Sequence, residues 1–297
     1  MLHQFLTVIS LLACMAVTKT CDNIISLTDT AEPASENTGK QAGDGENVTP
    51  PAAEIDGDGT AGTEKHTAYE LPATRKGEMI VSHTGFTISY NKANNTPDWA
   101  AWQLTASHCD GPVERSRKFW ADPDIPRPYR VEYYEYKGSG YDRGHMCPAG
   151  DMKWSEKAMH DCFYMSNMCP QTSELNSGAW NKLEMKCREW AKREGALYII
   201  CGPVYDAKTR HEQIGIDHAI DVPEGFFKAI LSLRRGYEKA VAFYFYNDES
   251  RQSYKTASLT VDEVEELTGL DLFHSLDDTL ESRLESTNSL DSFIKGK

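Results

Sequence analysis

The run Tyr141-Asp142-Arg143-Gly144-His145-Met146, set behind a Gly138-Ser139-Gly140 turn, joins three residue types with complementary chemistry. Histidine can take a proton near neutral pH, arginine grips phosphate oxygens with a planar fork, and glycine lets the backbone approach a ligand closely. Downstream, Asn167, Asn176, Glu184 and Arg188 add two amides, a carboxylate and a second guanidinium. Phosphodiester hydrolysis needs such a set: a base for the attacking water, positive charge on the phosphate, and hard oxygen ligands for any assisting divalent metal. Each residue alone has a plainer reading. Glu184 and Arg188 at i,i+4 make an ordinary helix-surface ion pair, Asn176 a helix cap, and Asn167, close to Pro170, a turn residue.

A strand carrying His145, packed on a helix carrying the others, would gather these groups. Residues 173–194 contain no proline, and Leu175, Ala179, Leu183, Cys187 and Trp190 recur at helical spacing, which predicts one long helix. At 100° per residue Asn176 and Glu184 differ by about 80°, and Arg188 lies roughly 40° further round, so all three can face one side. Alternation predicts strands at 79–82 and 86–90 around a turn, and again at 100–104. Residues 114–129 read as a Pro-rich loop, 131–136 and 163–166 as strands, 151–159 as a short helix or loop, and Pro170 as a breaker. The apolar runs 197–201, 226–233 and 240–246 are sheet strands. Thr260 and Glu263 form a capping box that predicts a helix over 261–268, stopped by Gly269. The expected class is α+β, a mixed, mainly antiparallel central sheet flanked by helices.

The flanks look different. Residues 5–17 are an apolar run of signal-peptide length without preceding basic residues, and Leu11-Leu12-Ala13-Cys14 has the form of a lipobox that would acylate Cys14. Residues 1–20 are therefore expected to be an export signal, and the protein exported, bacterial, and either secreted or held to a membrane by lipid. Residues 21–70 are too poor in apolar groups to fold and read as an acidic tether. The net charge of −14 is concentrated outside the centre: residues 22–71 hold 11 acids and 2 bases, and 262–297 hold 10 acids and 3 bases. The central 72–261 keeps 24 acids and 25 bases, so nothing in composition opposes a polyanionic substrate. Six domain cysteines, Cys109, Cys147, Cys162, Cys169, Cys187 and Cys201, favour disulfides in an exported chain, and Cys147 beside His145 is better read as structural than as a nucleophile.

Asp142-Arg143-Gly144-His145, then Ser166-Asn167-Met168-Cys169-Pro170-Gln171, then Asn176-Ser177-Gly178-Ala179-Trp180-Asn181-Lys182-Leu183-Glu184 resemble, in order, the DNA/RNA non-specific endonucleases, the ββα-metal (His-Me finger) nucleases. The likeness extends to Trp99-Ala100-Ala101-Trp102, Glu114-Arg115 and Leu267-Thr268-Gly269-Leu270, over roughly 75–275. It implies a ββα-metal finger within a nuclease domain at 71–275, followed by an acidic C-terminal tail at 276–297. By position it implies His145 as general base and Asn176 as the one protein ligand of Mg²⁺, with Mn²⁺ or another divalent ion as a substitute. Glu184 would hold metal-bound water, Arg143 and Arg188 the phosphate, and Asn167 a place near both histidine and phosphate. Arg115 or Arg117 would be an upstream substrate arginine, between which spacing does not choose. The implied substrates are DNA and RNA, cut to 5′-phosphate and 3′-hydroxyl ends. Two alternatives remain open at the level of sequence: a non-cleaving nucleic-acid-binding module, and a phosphodiesterase for small nucleotides.

Overall fold

The computed structural model describes residues 67–296, which lie in one compact unit, Thr63–Lys297. The expected export signal, Cys14 and nearly all of the acidic tether lie outside the described residues. Strands β1 (Met79–His83), β2 (Phe86–Asn91) and β3 (Thr96–Thr105) form an antiparallel meander. Next come β4 (Asp142–His145) and β5 (Met168–Gln171), paired only with each other among the described strands. The chain then runs through β6 (Ala196–Val204), a small pair β7 (Gln213–Ile214) and β8 (Ile220–Asp221), and β9 (Gly225–Ser232), β10 (Lys239–Tyr246) and β11 (Ser258–Leu259). The main sheet has seven strands in the order β1-β2-β3-β6-β9-β10-β11, with every neighbouring pair antiparallel.

Both faces of this sheet are covered, which explains why its central strands read as almost unbroken apolar runs. Phe226 and Ile230 of β9, with Val241, Phe243 and Phe245 of β10, face one core. Phe227, Ala229, Leu231, Ala240 and Ala242 alternate onto the other. The first face receives α1 (Glu156–Asp161), the turn α2 (Ser173–Leu175) and the long helix α3 (Asn181–Glu194), together with the finger. The second receives α4 (Val261–Thr268) and α5 (Asp278–Glu285) through Val261, Val264 and Leu284. Helix α4 has the expected capping box and a left-handed Gly269 at its end. Residues 278–285 and 290–295 are helical, and α6 (Leu290–Lys295) buries Phe293 against Trp190 of α3 with ring centroids 5.1 Å apart.

Three local expectations are corrected. The helix over 173–194 is interrupted: residues Asn176–Trp180 form a π-helical turn in which Gly178 takes φ −93° and ψ −107°, outside helical values. Residues 131–136 are not a strand but end in a 3₁₀ turn, Tyr133–Tyr136, because buried Glu135 turns inward to accept from the backbone of Ile216 and Asp217 and to pair with His218 at 2.6 Å. The strand placed at 163–166 begins only at Met168, after a 3₁₀ turn over Met165–Asn167. Pro170 sits inside β5, which a two-stranded ribbon tolerates since one strand edge needs no donor. The six cysteines at 109, 147, 162, 169, 187 and 201 are free, buried thiols, so their even number says nothing of an oxidising compartment.

Candidate active site

Strand β4 presents His145 at its end, with Gly144 between it and Arg143. Glycine is required there: a Cβ would fall 2.5 Å from Gln171 Oε1 and 2.7 Å from Gln171 Cβ across the ribbon. The imidazole is only 7% exposed, edge-to-face with Phe163 at 4.7 Å and tilted against Phe119 at 5.7 Å. Its ring donates to the Arg143 backbone carbonyl, whereas Nε2 is buried with no hydrogen-bond partner. Burial, then the nearby Arg115 charge, push the imidazole down to about 3. The ring is therefore neutral, in one tautomer, its proton on the nitrogen that meets the carbonyl and its lone pair on Nε2.

The π-turn docks on this strand by two hydrogen bonds. Asn176 Nδ2 donates to Asp142 Oδ2 at 3.0 Å, and Trp180 Nε1 donates to the His145 carbonyl at 3.3 Å. With its nitrogen committed, the Asn176 amide offers Oδ1 as its acceptor. π-turns inside helices recur at functional sites because the extra residue re-aims a side chain. Here the break also means that the 100° spacing does not apply between Asn176 and Glu184: Asn176 is fixed by the turn's attachment to β4, and Glu184 follows it in the first turn of α3.

Glu184 and Arg188 lie on α3, both half-buried. Burial pushes the Glu184 carboxyl up to about 7, opposed by the charges of Lys228, Arg188 and Arg115 and reinforced by Asp151. Arg188 is not an exposed partner of Glu184. Its Nη1 donates to Asp151 Oδ1 at 2.8 Å, and it packs so tightly over Gly150 that a Cβ there would meet Nη1 at 2.6 Å. Asp151 is 1% exposed and also accepts from Trp102 Nε1 at 3.0 Å. Beneath it, Lys228 of β9 is equally buried, its ammonium 4.2 Å from the Trp180 ring centroid and 5.1 Å from that of Trp102. Sequence reading missed Asp151 and Lys228. The only signal was a lysine within the apolar run 226–233, and a polar residue there reads as an outward-facing strand position.

Arg143 folds back: Nε and Nη2 donate to the Tyr133 carbonyl at 3.2 and 2.8 Å, with the guanidinium 4.9 Å from the Phe119 ring centroid. Arg115 lies over Phe163, 5.1 Å from its centroid, on the ring that also packs against His145. Of the two upstream candidates it is Arg115 whose charge acts on His145 and Glu184, while Arg117 lines the cleft further out. Asn167 is brought near but differently used. Fully buried, it donates to the carbonyls of Cys147 and Cys162 at 2.9 and 2.8 Å and accepts from the Cys147 N–H at 2.9 Å. Its amide is saturated, so it braces the chain after His145 rather than facing the cleft.

The cleft itself measures about 820 Å³ and runs past Arg115, Arg117, Phe119, Gly150, Lys153 and Phe163. A second cavity of about 570 Å³ continues it past Arg117, Lys118 and Arg143. A domain neutral by composition thus sets Arg115, Arg117, Lys118, Arg143 and Lys153 against Glu114 and Glu132 along this groove. In another acidic group near the first sheet face, His83 with Asp122 and Asp124, the Asp122 carboxylate is the one already engaged: it lies 3.0 Å from His83 Nε2 and accepts from Ser166 Oγ at 2.5 Å and from the Asp124 N–H at 2.9 Å.

Residues 62–279 match the family described as DNA/RNA non-specific endonuclease. The chain belongs to that family. The named relatives include the mitochondrial nuclease EXOG of Xenopus laevis, 35% identical over 70% of this chain and 62% of that protein. Human EXOG is 32% identical over 76% of this chain and 65% of its own, and Nuclease C1 of Cunninghamella echinulata 33% over 67% and 84%. The chain thus spans under two thirds of the length of each EXOG protein, from 44% to 65%. Among solved structures, a chain of the EndoG/EndoGI complex is similar with a TM-score of 0.65 and 28% identity, over 70% of this chain and 90% of that one. The family and the α+β fold with its ββα finger are those expected from sequence. The expected bacterial, exported location is corrected, since the EXOG relatives and the yeast relatives bear the name of mitochondrial nucleases. A short apolar N-terminal run without preceding bases does not specify a destination.

Proposed function

We propose that this chain is a divalent-metal-dependent endonuclease, with Mg²⁺ as its ion, that hydrolyses DNA and RNA without sequence preference and leaves 5′-phosphate and 3′-hydroxyl ends. The observation that carries the reading is His145: a neutral imidazole, fixed in one tautomer, with a buried, partnerless Nε2 and its ring packed on Phe119 and Phe163, which line the groove together with Arg115, Arg117 and Lys153. Nε2 would take the proton of the attacking water, and the Arg143 carbonyl would steady the imidazolium that results. Such a base contributes about 10²–10⁴-fold.

The donor set fits a hard cation. Asn176 offers an amide oxygen because its nitrogen is spent on Asp142, and Glu184 holds its proton to about 7, so it gains most from positive charge placed beside it. Asn176 would bind the ion directly and Glu184 a water in its shell. A divalent ion there supplies Lewis-acid polarisation of a phosphate oxygen. Arg188, held by Asp151, and Arg115, held over Phe163, would receive the phosphate's negative charge. These groups meet backbone oxygens rather than base edges, which is why no sequence preference is expected. The open groove favours a polymer over a small nucleotide.

The test is incubation of the purified chain with plasmid and with RNA, in Mg²⁺ and in chelator, beside His145→Ala. Cleavage of both polymers in Mg²⁺ alone, falling at least about 100-fold in the variant, is the expected result. Intact polymers in Mg²⁺ would refute the nuclease reading, and full activity in the variant would refute the assigned base.

A further inference from the structure

On the sheet face away from the cleft, α4 and α5 bring three carboxylates together. Asp262 and Glu265 sit one turn apart on α4, Glu285 is the last residue of α5, and one ligand oxygen from each lies within 4.8 Å of the other two. We propose that Asp262, Glu265 and Glu285 form a divalent-cation site, suited to Ca²⁺ rather than Mg²⁺, that ties α4 to α5.

Glu285 is the telling residue. It is 6% exposed, and its Oε1 is buried with no hydrogen-bond partner. A buried carboxylate oxygen left so costs the full desolvation of a charged acceptor. The charges acting on it are Glu265, Glu281, Asp262 and Asp271, all acidic, and it stands at the negative end of its own helix. Glu265 has one backbone partner, Leu272 N–H at 2.6 Å, and faces Asp271, Asp262 and Glu281. Burial first, and then repulsion from the neighbouring acids, drives both carboxyls up, Glu265 to about 7 and Glu285 to about 8. A divalent ion removes this penalty at one stroke.

The ligand set selects the ion. Three carboxylates supplied by the protein suit Ca²⁺, which takes about six to eight oxygens in a flexible geometry, whereas Mg²⁺ usually keeps several waters and takes one or two carboxylates. Exposed Asp262 leaves the outer side open for the waters that complete a Ca²⁺ shell.

The full chain, stripped with chelator and returned to pH 7.5, should show a thermal midpoint raised by about 5 °C or more when Ca²⁺ is saturating. The same rise should persist in Asn176→Ala, which separates this site from the proposed catalytic ion. It should vanish in Glu285→Gln and in the double variant Glu265→Gln/Glu285→Gln. Nuclease activity of Glu285→Gln in Mg²⁺ should equal that of the parent. A wild type indifferent to Ca²⁺ would mean that the pair merely shares a proton, and an undiminished rise in the double variant would place the ion elsewhere; either overturns the site. If the glutamine variants do not fold, terbium luminescence of the parent displaced by Ca²⁺, compared with Asp262→Asn, gives the same decision: equal affinities overturn it.

Discussion

His145, the proposed base, and Arg188 are held by opposite means, and their substitutions should behave accordingly. His145 is stored neutral: folding lowers its affinity for protons, so the unfolded chain binds more protons wherever the pH is below the ordinary imidazole value. The sign follows directly. Stability falls as pH drops from about 6.5 toward 3, by roughly 2 kcal/mol near pH 5. His145→Leu should abolish that part of the acid sensitivity, and urea midpoints at pH 5 and pH 8 would then lie closer together than in the parent. Arg188 is a charged partner of a buried acid. Arg188→Ala leaves Asp151 with Trp102 and Lys228 but without its fork, and should cost about 3 kcal/mol in stability as well as activity. Arg188→Lys should restore most of the stability, though not the activity, because an ammonium cannot reproduce a bidentate grip. Thermal melts alongside cleavage rates separate the two effects.

At the level of the element, the π-turn controls the relation of Asn176 to α3. Gly178 there departs from helical values, and a Cβ would meet no atom closer than Glu174 Oε1 at 4.0 Å. Gly178→Ala should therefore fold, with the turn drawn toward regular helix and Asn176 swung out of line. The expected signature is a several-fold higher Mg²⁺ requirement with little change in melting temperature; an unchanged metal titration would show that the turn is incidental. This element also marks where sequence reading stopped. Regular periodicity made Leu175, Ala179, Leu183, Cys187 and Trp190 legible as one buried stripe, and all five are buried. The π-turn keeps the apolar stripe inward while changing the local pitch, so nothing in the spacing disclosed it. The same limit hid the turn at 133–136, where a single buried Glu135 bound to distant backbone outweighs the strand preference of its aromatic neighbours. By contrast the capping box at Thr260 and the stop at Gly269 are encoded within one helix and were fully legible. Asp151 and Lys228 were not, because their meaning lies in partners far away along the chain.

Across the whole molecule, charge is sorted by place. Residues 72–261 are close to neutral, yet Arg115, Arg117, Lys118, Arg143 and Lys153 line the two adjoining cavities of the cleft, while acids crowd α4 and α5 on the far side. Binding to single-stranded nucleic acid should weaken with salt at a slope of about −2 to −3 on logarithmic axes if three to four phosphates are held. Arg117→Ala should flatten the slope by roughly one contact with only a modest effect on the rate at low salt, and a slope that does not change would remove Arg117 from the binding track. Sequence totals conceal this sorting, since they average over surfaces that never meet the same ligand. The finger from Asp142 to Arg188 has a consequence for descent. It carries the proposed base, amide oxygen, carboxylate and two of the guanidinium groups on one uninterrupted stretch, fastened to the sheet beneath by Trp180 packed on Phe226 and Phe245 and by Trp102 donating to Asp151. Such a stretch can be inherited, duplicated or lost as a unit, leaving the strands, flanking helices and termini free to diverge around an unchanged chemistry.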